Sequence, residues 1–124
     1  MLKEGMTYTC TLTVTPDKTA QAIGSGDLPV LATPAMLALM EQAAMLAVRH
    51  ALDEGQTTVG GHIESSHVSP TPVHACVSAT ATLTRIDNRK LHFRVTAHQG
   101  DTLIGEGTHL RFIVDKTKFL SRLS

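Results

Sequence analysis

The hydrophobic pattern divides the chain into several alternating segments and one long apolar segment. Four segments alternate apolar and polar residues with a period of two, which is typical of half-buried strands: 6–14, 73–83, 91–97 and 103–114. A fifth strand is expected between Thr57 and Ser69, where Pro70 ends it. Residues 19–29 are polar and contain glycines, and they predict a loop.

The long apolar segment predicts a helix that begins at Thr33 and Pro34. Threonine is a favoured N-cap, and proline fits the first helical position because its missing N–H would be unpaired there. The helix is expected to run to about Leu52 or Asp53, with Gly55 as the terminator. Its apolar residues lie on nearly all sides, so the helix must be covered nearly all round.

One long helix among antiparallel strands predicts an α+β protein. The connections between the later strands are as short as hairpins, which implies antiparallel pairing. About five strands can cover one apolar helix only if their sheet curls around it. The chain therefore has the element order of the hotdog fold, which is a strand, a long helix and four further strands. In that fold a curved antiparallel sheet wraps around one central helix. Hotdog proteins usually form dimers by pairing their sheets edge to edge, so we expect a homodimer or a higher homo-oligomer.

Composition limits the classes of function. The 124 residues are expected to form one domain, 1–124. The formal net charge is zero and there is no basic stripe, so a nucleic-acid-binding protein is not expected. No apolar run reaches eighteen residues, so no membrane segment is expected. Cys10 and Cys76 have no CxxC spacing, and we expect both thiols to be buried and reduced. The expected location is the cytoplasm.

Glu41 is the only charge in residues 34–48. A packing interpretation places its carboxylate at the edge of the helix, in water or beside an arginine. A functional interpretation makes it a buried working group, which needs a partner or a raised pKa. Lys3 and Lys18 are the only Lys or Arg residues before Arg49, so a cationic partner must come from elsewhere in the fold.

Polar candidates to join Glu41 lie in residues 59–68, where His67 and His62 fall on opposite faces of the predicted strand. Seven histidines give many false leads, and alternation alone does not select His67. The two opposed histidines have no cysteine nearby, so we expect no metal site.

Five short motifs together indicate a family: Leu31-Ala-Thr-Pro34, Leu39-Met-Glu-Gln-Ala43, Thr58-Val-Gly-Gly61, Ser66-His-Val68 and Gly107-Thr-His-Leu-Arg111. Their order and spacing, from about Asp27 to Leu123, resemble the fluoroacetyl-CoA thioesterase group of hotdog proteins. The resemblance implies hydrolysis of small acyl-CoA thioesters by Thr, Glu and His residues. It requires no separate cofactor, because coenzyme A is part of the substrate.

By position, the resemblance assigns catalysis to Thr33, Glu41 and His67, and substrate contact to Gly60 and Arg111. A hydroxyl at a helix N-terminus lies beside unpaired N–H groups that stabilise an oxyanion, and the threonine can be a nucleophile or a hydrogen-bonding residue. The histidine suits proton transfer. The carboxylate either orients that imidazole or acts as the base.

Gly60 leaves space for a thioester carbonyl beside its backbone N–H, whereas Arg111 can meet CoA phosphates or a carboxylate at a dimer interface. Thr33 and Glu41 are about 12 Å apart along a helix, at 1.5 Å per residue. They cannot hydrogen-bond directly. The site is therefore expected at a dimer interface.

The chain departs from the fluoroacetyl-specific pattern before the helix. Residues 24–29 are glycine-rich, and no Phe occurs before Phe93, so no aromatic lid guards the pocket. A generic short-chain acyl-CoA is the expected substrate. The alternatives are a non-catalytic hotdog module that binds acyl-CoA or a partner protein, and a hotdog hydratase or dehydratase, which requires an Asp and a His.

Overall fold

The computed structural model describes residues 1–123. Five strands and three α-helices follow one another along the chain: β1 (Thr7–Thr13), α1 (Ala20–Ile23), α2 (Thr33–Val48), β2 (Gln56–Ser65), β3 (Cys76–Asp87), β4 (Lys90–Gln99), β5 (Thr102–Asp115) and α3 (Lys116–Ser121). Two short 3₁₀ turns lie at Pro16–Lys18 and Arg49–Ala51. No helix within this described range is long and apolar enough to cross a membrane.

The five strands form one antiparallel sheet in the order β1-β3-β4-β5-β2. The sheet curls around α2, which packs against β1, β2, β3 and β4. This arrangement confirms the expected hotdog fold. β2 is an edge strand that pairs only with β5, and its register shifts between Gly60 and His62, as in a β-bulge.

The core lies between the concave side of the sheet and α2. On β3 and β4 the predicted inward residues are fully or almost fully buried: Val77, Ala79, Ala81, Leu83, Leu91, Phe93, Val95 and Ala97. From α2, Met36 and Met40 are buried against them. Period-two alternation therefore predicted which face of these two strands is buried.

The ends of α2 differ from the prediction. Thr33 is the first helical residue rather than the cap, because Ala32 occupies the N-cap position and provides no side-chain hydrogen bond. The α-helix ends at Val48, and the 3₁₀ turn Arg49–Ala51 carries the chain to Leu52, where the backbone becomes extended. The predicted end near Leu52 is thus the end of this turn.

Two short helices lie outside the predicted set. The expected loop at 19–29 begins with α1, which Thr19 caps by accepting from the N–H of Ala22 and which Gly24 ends at φ 91°. After β5, Asp115 caps α3 by accepting from the N–H of Lys118. Helices of four and six residues are too short to produce a detectable hydrophobic period.

Two expectations about burial are not met within the single chain. In the single chain, α2 leaves one face open, since Pro34, Ala38 and Gln42 are exposed. Cys10 is buried, and burial raises the pKa of its thiol, whereas Cys76 at the start of β3 is exposed. Both thiols are free.

The chain beyond β2 continues beside β5. The N–H of Ser66 donates to the carbonyl of Glu106, and the N–H of Val68 donates to the carbonyl of Ile104. Glycines on β5 permit this approach, because a Cβ at Gly105 would lie 2.5 Å from the carbonyl oxygen of Ser66. A Cβ at Gly107 would overlap the backbone of Glu64 and Ser65 at the end of β2. Close packing against β5 thus fixes the position of residues 66–68.

Candidate active site

A hydroxyl–imidazole pair forms where α2 begins. Oγ1 of Thr33 lies 2.7 Å from Nδ1 of His67. His67 lies beyond the end of β2, within the segment that β5 holds. The two residues are 34 positions apart in sequence, so the fold alone brings them together. This contact joins a hydroxyl to a nitrogen that can accept its proton.

The His67 ring is half-buried. Burial lowers the pKa of His67 from its ordinary value of 6.5, which favours the neutral ring at pH 7. When the Thr33 hydroxyl donates to Nδ1, the ring carries its own proton on Nε2. Nε2 is buried and has no hydrogen-bond partner within residues 1–123. Nδ1 is therefore the nitrogen of this ring that can accept the hydroxyl proton.

A cavity of about 320 Å³ lies beside this pair. Val30, Val68 and Pro70 contribute to its wall together with Thr33 and His67. This volume is at the lower end of the range for small-molecule sites. The cavity therefore gives a small molecule access to the hydroxyl and the imidazole.

The first turn of α2 offers fewer free donors than the sequence led us to expect. The N–H groups of Ala35 and Met36 both donate to the carbonyl of Ala32, and Pro34 has no N–H. The expected set of unpaired backbone donors around Thr33 is correspondingly reduced. The helix dipole still directs its positive end towards this hydroxyl.

Glu41 lies two helical turns further along α2, where it meets a cation. Its Oε2 is 3.7 Å from Nη1 of Arg111, which extends from β5. The side chain of Arg111 is 8% exposed and that of Glu41 is 42% exposed. The prediction that a cation for Glu41 must come from a distant part of the fold is therefore confirmed.

The guanidinium of Arg111 has several further contacts. Nε donates to Oγ1 of Thr58 at 2.8 Å, and Nη2 donates to the carbonyl of Thr58 at 2.9 Å. Nη1 lies 3.1 Å from Nε2 of His109. Burial lowers the pKa of Arg111 while the Glu41 carboxylate raises it, and an arginine retains its charge under such conditions.

Gly60 faces the same ion pair from β2. A Cβ at this position would lie 2.8 Å from Oε2 of Glu41 and 3.7 Å from Nη1 of Arg111. Real Cβ contacts are essentially never that short, so any larger residue would displace the carboxylate. Only glycine leaves the backbone of β2 open beside Glu41 without disturbing the pair.

The five predicted site residues therefore form two groups on one side of the helix. Thr33 and His67 make the first group, and Glu41, Arg111 and Gly60 make the second. The Glu41 carboxylate is an ion-pair partner of Arg111 within the chain. The structure thus pairs the carboxylate with a guanidinium, which is one of the alternatives that the sequence left open.

Two contributors to the second group received no role from the sequence. Thr58 supplies two acceptors to Arg111, and His109 is almost fully buried beside it. One signal for His109 was available, because alternation on β5 places His109, Arg111 and Ile113 on one face. The pairing of β2 with β5 that brings Thr58 close has no comparable local signal.

Metal binding finds no support in the geometry. No cluster of three or more His, Cys, Asp or Glu side chains within residues 1–123 is arranged to hold a metal ion. His62 and His67 lie on either side of the end of β2, and His62 is exposed.

Comparison with known proteins places the chain in a class and then in a family. Its fold superposes on a solved structure of the fluoroacetyl-CoA thioesterase FlK with a TM-score of 0.92 and 32% identity, over 99% of this chain and 96% of that one. A Thermus thermophilus member of the thioesterase superfamily gives a TM-score of 0.91 at 26% identity, with 99% and 91% covered. The chain is therefore a hotdog protein of the thioesterase type.

The family assignment rests on sequence. The model of the FlK family, described as fluoroacetyl-CoA-specific thioesterases, matches residues 14–117. The fluoroacetyl-CoA thioesterase of Streptantibioticus cattleyicolor is 33% identical over 128 residues, covering 98% of this chain and 92% of that protein. The chain belongs to the fluoroacetyl-CoA-specific thioesterase family, which confirms the resemblance found in its motifs.

Proposed function

We propose that this chain, an acyl-CoA thioesterase by family, hydrolyses short-chain acyl-CoA thioesters with Thr33, Glu41 and His67 at an interface between two copies. The observation that carries the proposal is the 2.7 Å contact between Oγ1 of Thr33 and Nδ1 of His67 at the wall of a small cavity. A hydroxyl bonded to a neutral imidazole is the arrangement that acyl transfer requires.

Two chemical courses are compatible with this contact. In the first, Oγ1 of Thr33 attacks the thioester carbonyl carbon while His67 takes the hydroxyl proton. The C–S bond then breaks, the thiolate receives that proton, and water hydrolyses the threonyl ester to release the acid. In the second, a water molecule attacks the carbonyl carbon directly and gives a proton to Glu41, while the Thr33 hydroxyl donates a hydrogen bond to the substrate oxygen. The C–S bond then breaks, the acid is released, and the thiolate receives the proton from Glu41.

Substitutions at Thr33 separate these courses. Thr33→Ser keeps a hydroxyl, and Thr33→Val keeps the shape without it. If Thr33 is the nucleophile, Thr33→Val should lose on the order of 10²-fold or more in kcat. A loss of this size is expected when a catalytic group is removed. Intact mass spectrometry of the parent during turnover then detects an acyl adduct. Direct attack by water also uses this hydroxyl, so an impaired Thr33→Val enzyme leaves the adduct as the deciding observation. A Thr33→Val enzyme within a few-fold of the parent would exclude the nucleophile and would show that the hydrogen bond to the substrate oxygen is dispensable.

The proposed interface between two copies rests on two surfaces that the single chain leaves uncovered, the edge of β2 and one face of α2. β2 is an edge strand, and edge strands offer unpaired backbone groups to a second chain. The exposed face of α2 at Pro34, Ala38 and Gln42 adjoins the half-exposed Glu41. A second copy on this side covers the helix and brings another set of site residues close. Sedimentation should give a particle of at least twice 13.3 kDa at micromolar concentration, and a 13.3 kDa particle would contradict the interface.

The acyl group is proposed to be short because the cavity beside the hydroxyl is small. Gly60 and Arg111 border the Glu41 carboxylate rather than this cavity, and there Gly60 offers open backbone to the substrate beside Nη1 of Arg111. No phenylalanine precedes Phe93, so no Phe residue from the segment before α2 screens the cavity. We therefore expect acetyl-CoA and propionyl-CoA to be turned over alongside fluoroacetyl-CoA.

The deciding experiment measures thiol release from a panel of acyl-CoA esters of increasing chain length. The parent is compared with Glu41→Gln and His67→Ala, and with the exposed His50→Gln as a matched control. We expect both site variants to lose at least about tenfold in kcat/KM and the control to resemble the parent. Binding of acyl-CoA without any turnover by the parent would instead identify a non-catalytic module.

A further inference from the structure

We propose that His109 is a positioning residue that fixes the guanidinium of Arg111, and through it the carboxylate of Glu41, for thioester hydrolysis. This inference rests on the proposed function, since the role of Glu41 belongs to that reaction. His109 extends from β5 and is 2% exposed. Its two ring nitrogens both have polar neighbours, one on β5 and one on β2.

The hydrogen bonds determine the tautomer of His109. Nη1 of Arg111 can only donate, so Nε2 of His109, 3.1 Å away, must accept. The ring proton is therefore on Nδ1, which donates to the carbonyl of His62 at 2.7 Å. His62 directly follows the bulge in β2, so the irregular register of the edge strand supplies this acceptor. A neutral ring in one tautomer results.

Three groups then hold the guanidinium from two sides. Thr58 accepts from Nε and Nη2 on one side, and His109 accepts from Nη1 on the other. Nη1 is also the nitrogen that faces Oε2 of Glu41 at 3.7 Å. Without the acceptor on His109, the nitrogen that meets Glu41 has no second anchor. His109 therefore controls the direction of the N–H group on which the carboxylate depends.

The same ring borders the space into which Glu41 extends. A Cβ on Gly60 would lie 3.5 Å from Cε1 of His109 and 2.8 Å from Oε2 of Glu41. The ring is also tilted against Phe93, with centroids 6.2 Å apart. A leucine of similar volume would satisfy this packing alone. The polar contacts therefore point to a role that packing does not require.

Protonation of His109 would remove the acceptor and add a charge beside Arg111. Burial lowers the pKa of His109, Arg111 lowers it further, and the carboxylate of Glu41 and the bond to the His62 carbonyl raise it. The His62 side chain adds a small lowering effect. Burial has the largest effect, so the acceptor form is favoured at neutral pH.

Two amide substitutions distinguish positioning from structural support. His109→Gln places an amide near the position of Nε2, where it can accept from Arg111. His109→Asn places one near Nδ1, where it can donate to the His62 carbonyl but cannot reach Arg111. His109→Leu provides neither contact. The three variants thus test each ring nitrogen separately.

We expect His109→Asn and His109→Leu to lose on the order of 10- to 100-fold in kcat with little change in KM, as misplaced catalytic groups do. His109→Gln should recover a large part of that loss. Thermal midpoints of the three variants give the structural contribution. Equal activity of the Gln and Leu variants, or rescue by Asn rather than Gln, would overturn the positioning role.

An inactive parent would refute the proposed function itself, which is a result distinct from a failed rescue in an active parent. Nitrogen-15 NMR of the histidine rings adds a readout independent of catalysis. The Nδ1–H tautomer is expected for His109 in the parent, and a proton on Nε2 would exclude acceptance from Arg111.

Discussion

At the scale of the residue, Glu41 derives its environment from distant parts of the chain. The carboxylate belongs to an apolar helix, yet its cation extends from β5 and its open neighbour is a glycine on β2. Because Arg111 is itself held by Thr58 and His109, the ion pair has a defined direction. A half-exposed carboxylate usually gains little from one ion pair, so the contact matters for orientation more than for stability.

Gly60→Ala tests this orientation. The new Cβ would contact Oε2 of Glu41 and force the half-exposed carboxylate to move away. We expect kcat/KM to fall on the order of tenfold while the thermal midpoint changes little. Thiol release and thermal unfolding of the same preparation measure the two effects. In a Glu41→Ala background the substitution has no carboxylate to displace, and a further fall in kcat/KM of the same size there would refute this explanation.

Gly61→Ala is the matched comparison. Its Cβ would overlap the ring of Phe112, which lies away from the ion pair. That substitution should lower the thermal midpoint more than Gly60→Ala does. A larger loss of activity than of stability at this position would show that the two glycines do not have separate roles.

The sequence located the site residues better than it located their partners. Family motifs identified Thr33 and His67, and the structure brings these two within hydrogen-bond distance. Alternation could not predict that His67 lies beyond the end of β2, because strand ends depend on pairing with β5. The link from Glu41 to Arg111 also follows from sheet order, which has no local signature.

At the scale of the element, burial patterns predicted the strands and the sequence of elements. The buried face of β3 and of β4 follows the period of two that the sequence contains. The helix boundaries were less accurate because tertiary contacts decide them. Thr33 was expected to cap α2, but in the structure its hydroxyl contacts His67, and Ala32 takes the cap position. An apolar face of α2 was expected to be covered, and the single chain leaves it open.

Asp115 determines the beginning of α3. Its side chain accepts from the N–H of Lys118 at 3.0 Å, so Asp115→Ala should destabilise this short helix by about 1 kcal/mol. Asp115→Asn keeps an accepting oxygen and serves as the control. Hydrogen exchange at Lys118 and Phe119 should accelerate in the alanine variant alone. Equal exchange in both variants would mean that the cap does not hold α3.

At the scale of the whole molecule, the half-buried imidazole of His67 and the buried imidazole of His109 link stability to pH. Burial lowers the pKa of both His67 and His109 from 6.5. The unfolded chain therefore binds more protons than the native chain below about pH 6.5. Stability is fully present above that pH, and it falls as the pH decreases towards the native pKa values.

Thermal midpoints between pH 7.5 and 5.5 measure this dependence. We expect the midpoint to decrease on acidification, and to decrease less steeply in His67→Gln and in His109→Gln. His50→Gln, at an exposed position, serves as the control and should follow the parent. A midpoint that rises as the pH falls would contradict the neutral state of these rings.

The glycines of β5 limit the substitutions that this enzyme can accept. Gly105 and Gly107 lie outside the reacting groups, yet the absence of their side chains lets the end of β2 and the segment carrying His67 lie close against β5. One added methyl group there would push that segment outward and lengthen the distance from His67 to Thr33. Redesign of acyl preference is therefore better directed to the exposed residues 24–29 than to the middle of β5. The substitutions that the site tolerates are thus limited by β5, where a side chain at either glycine would meet the end of β2 or the segment that follows it.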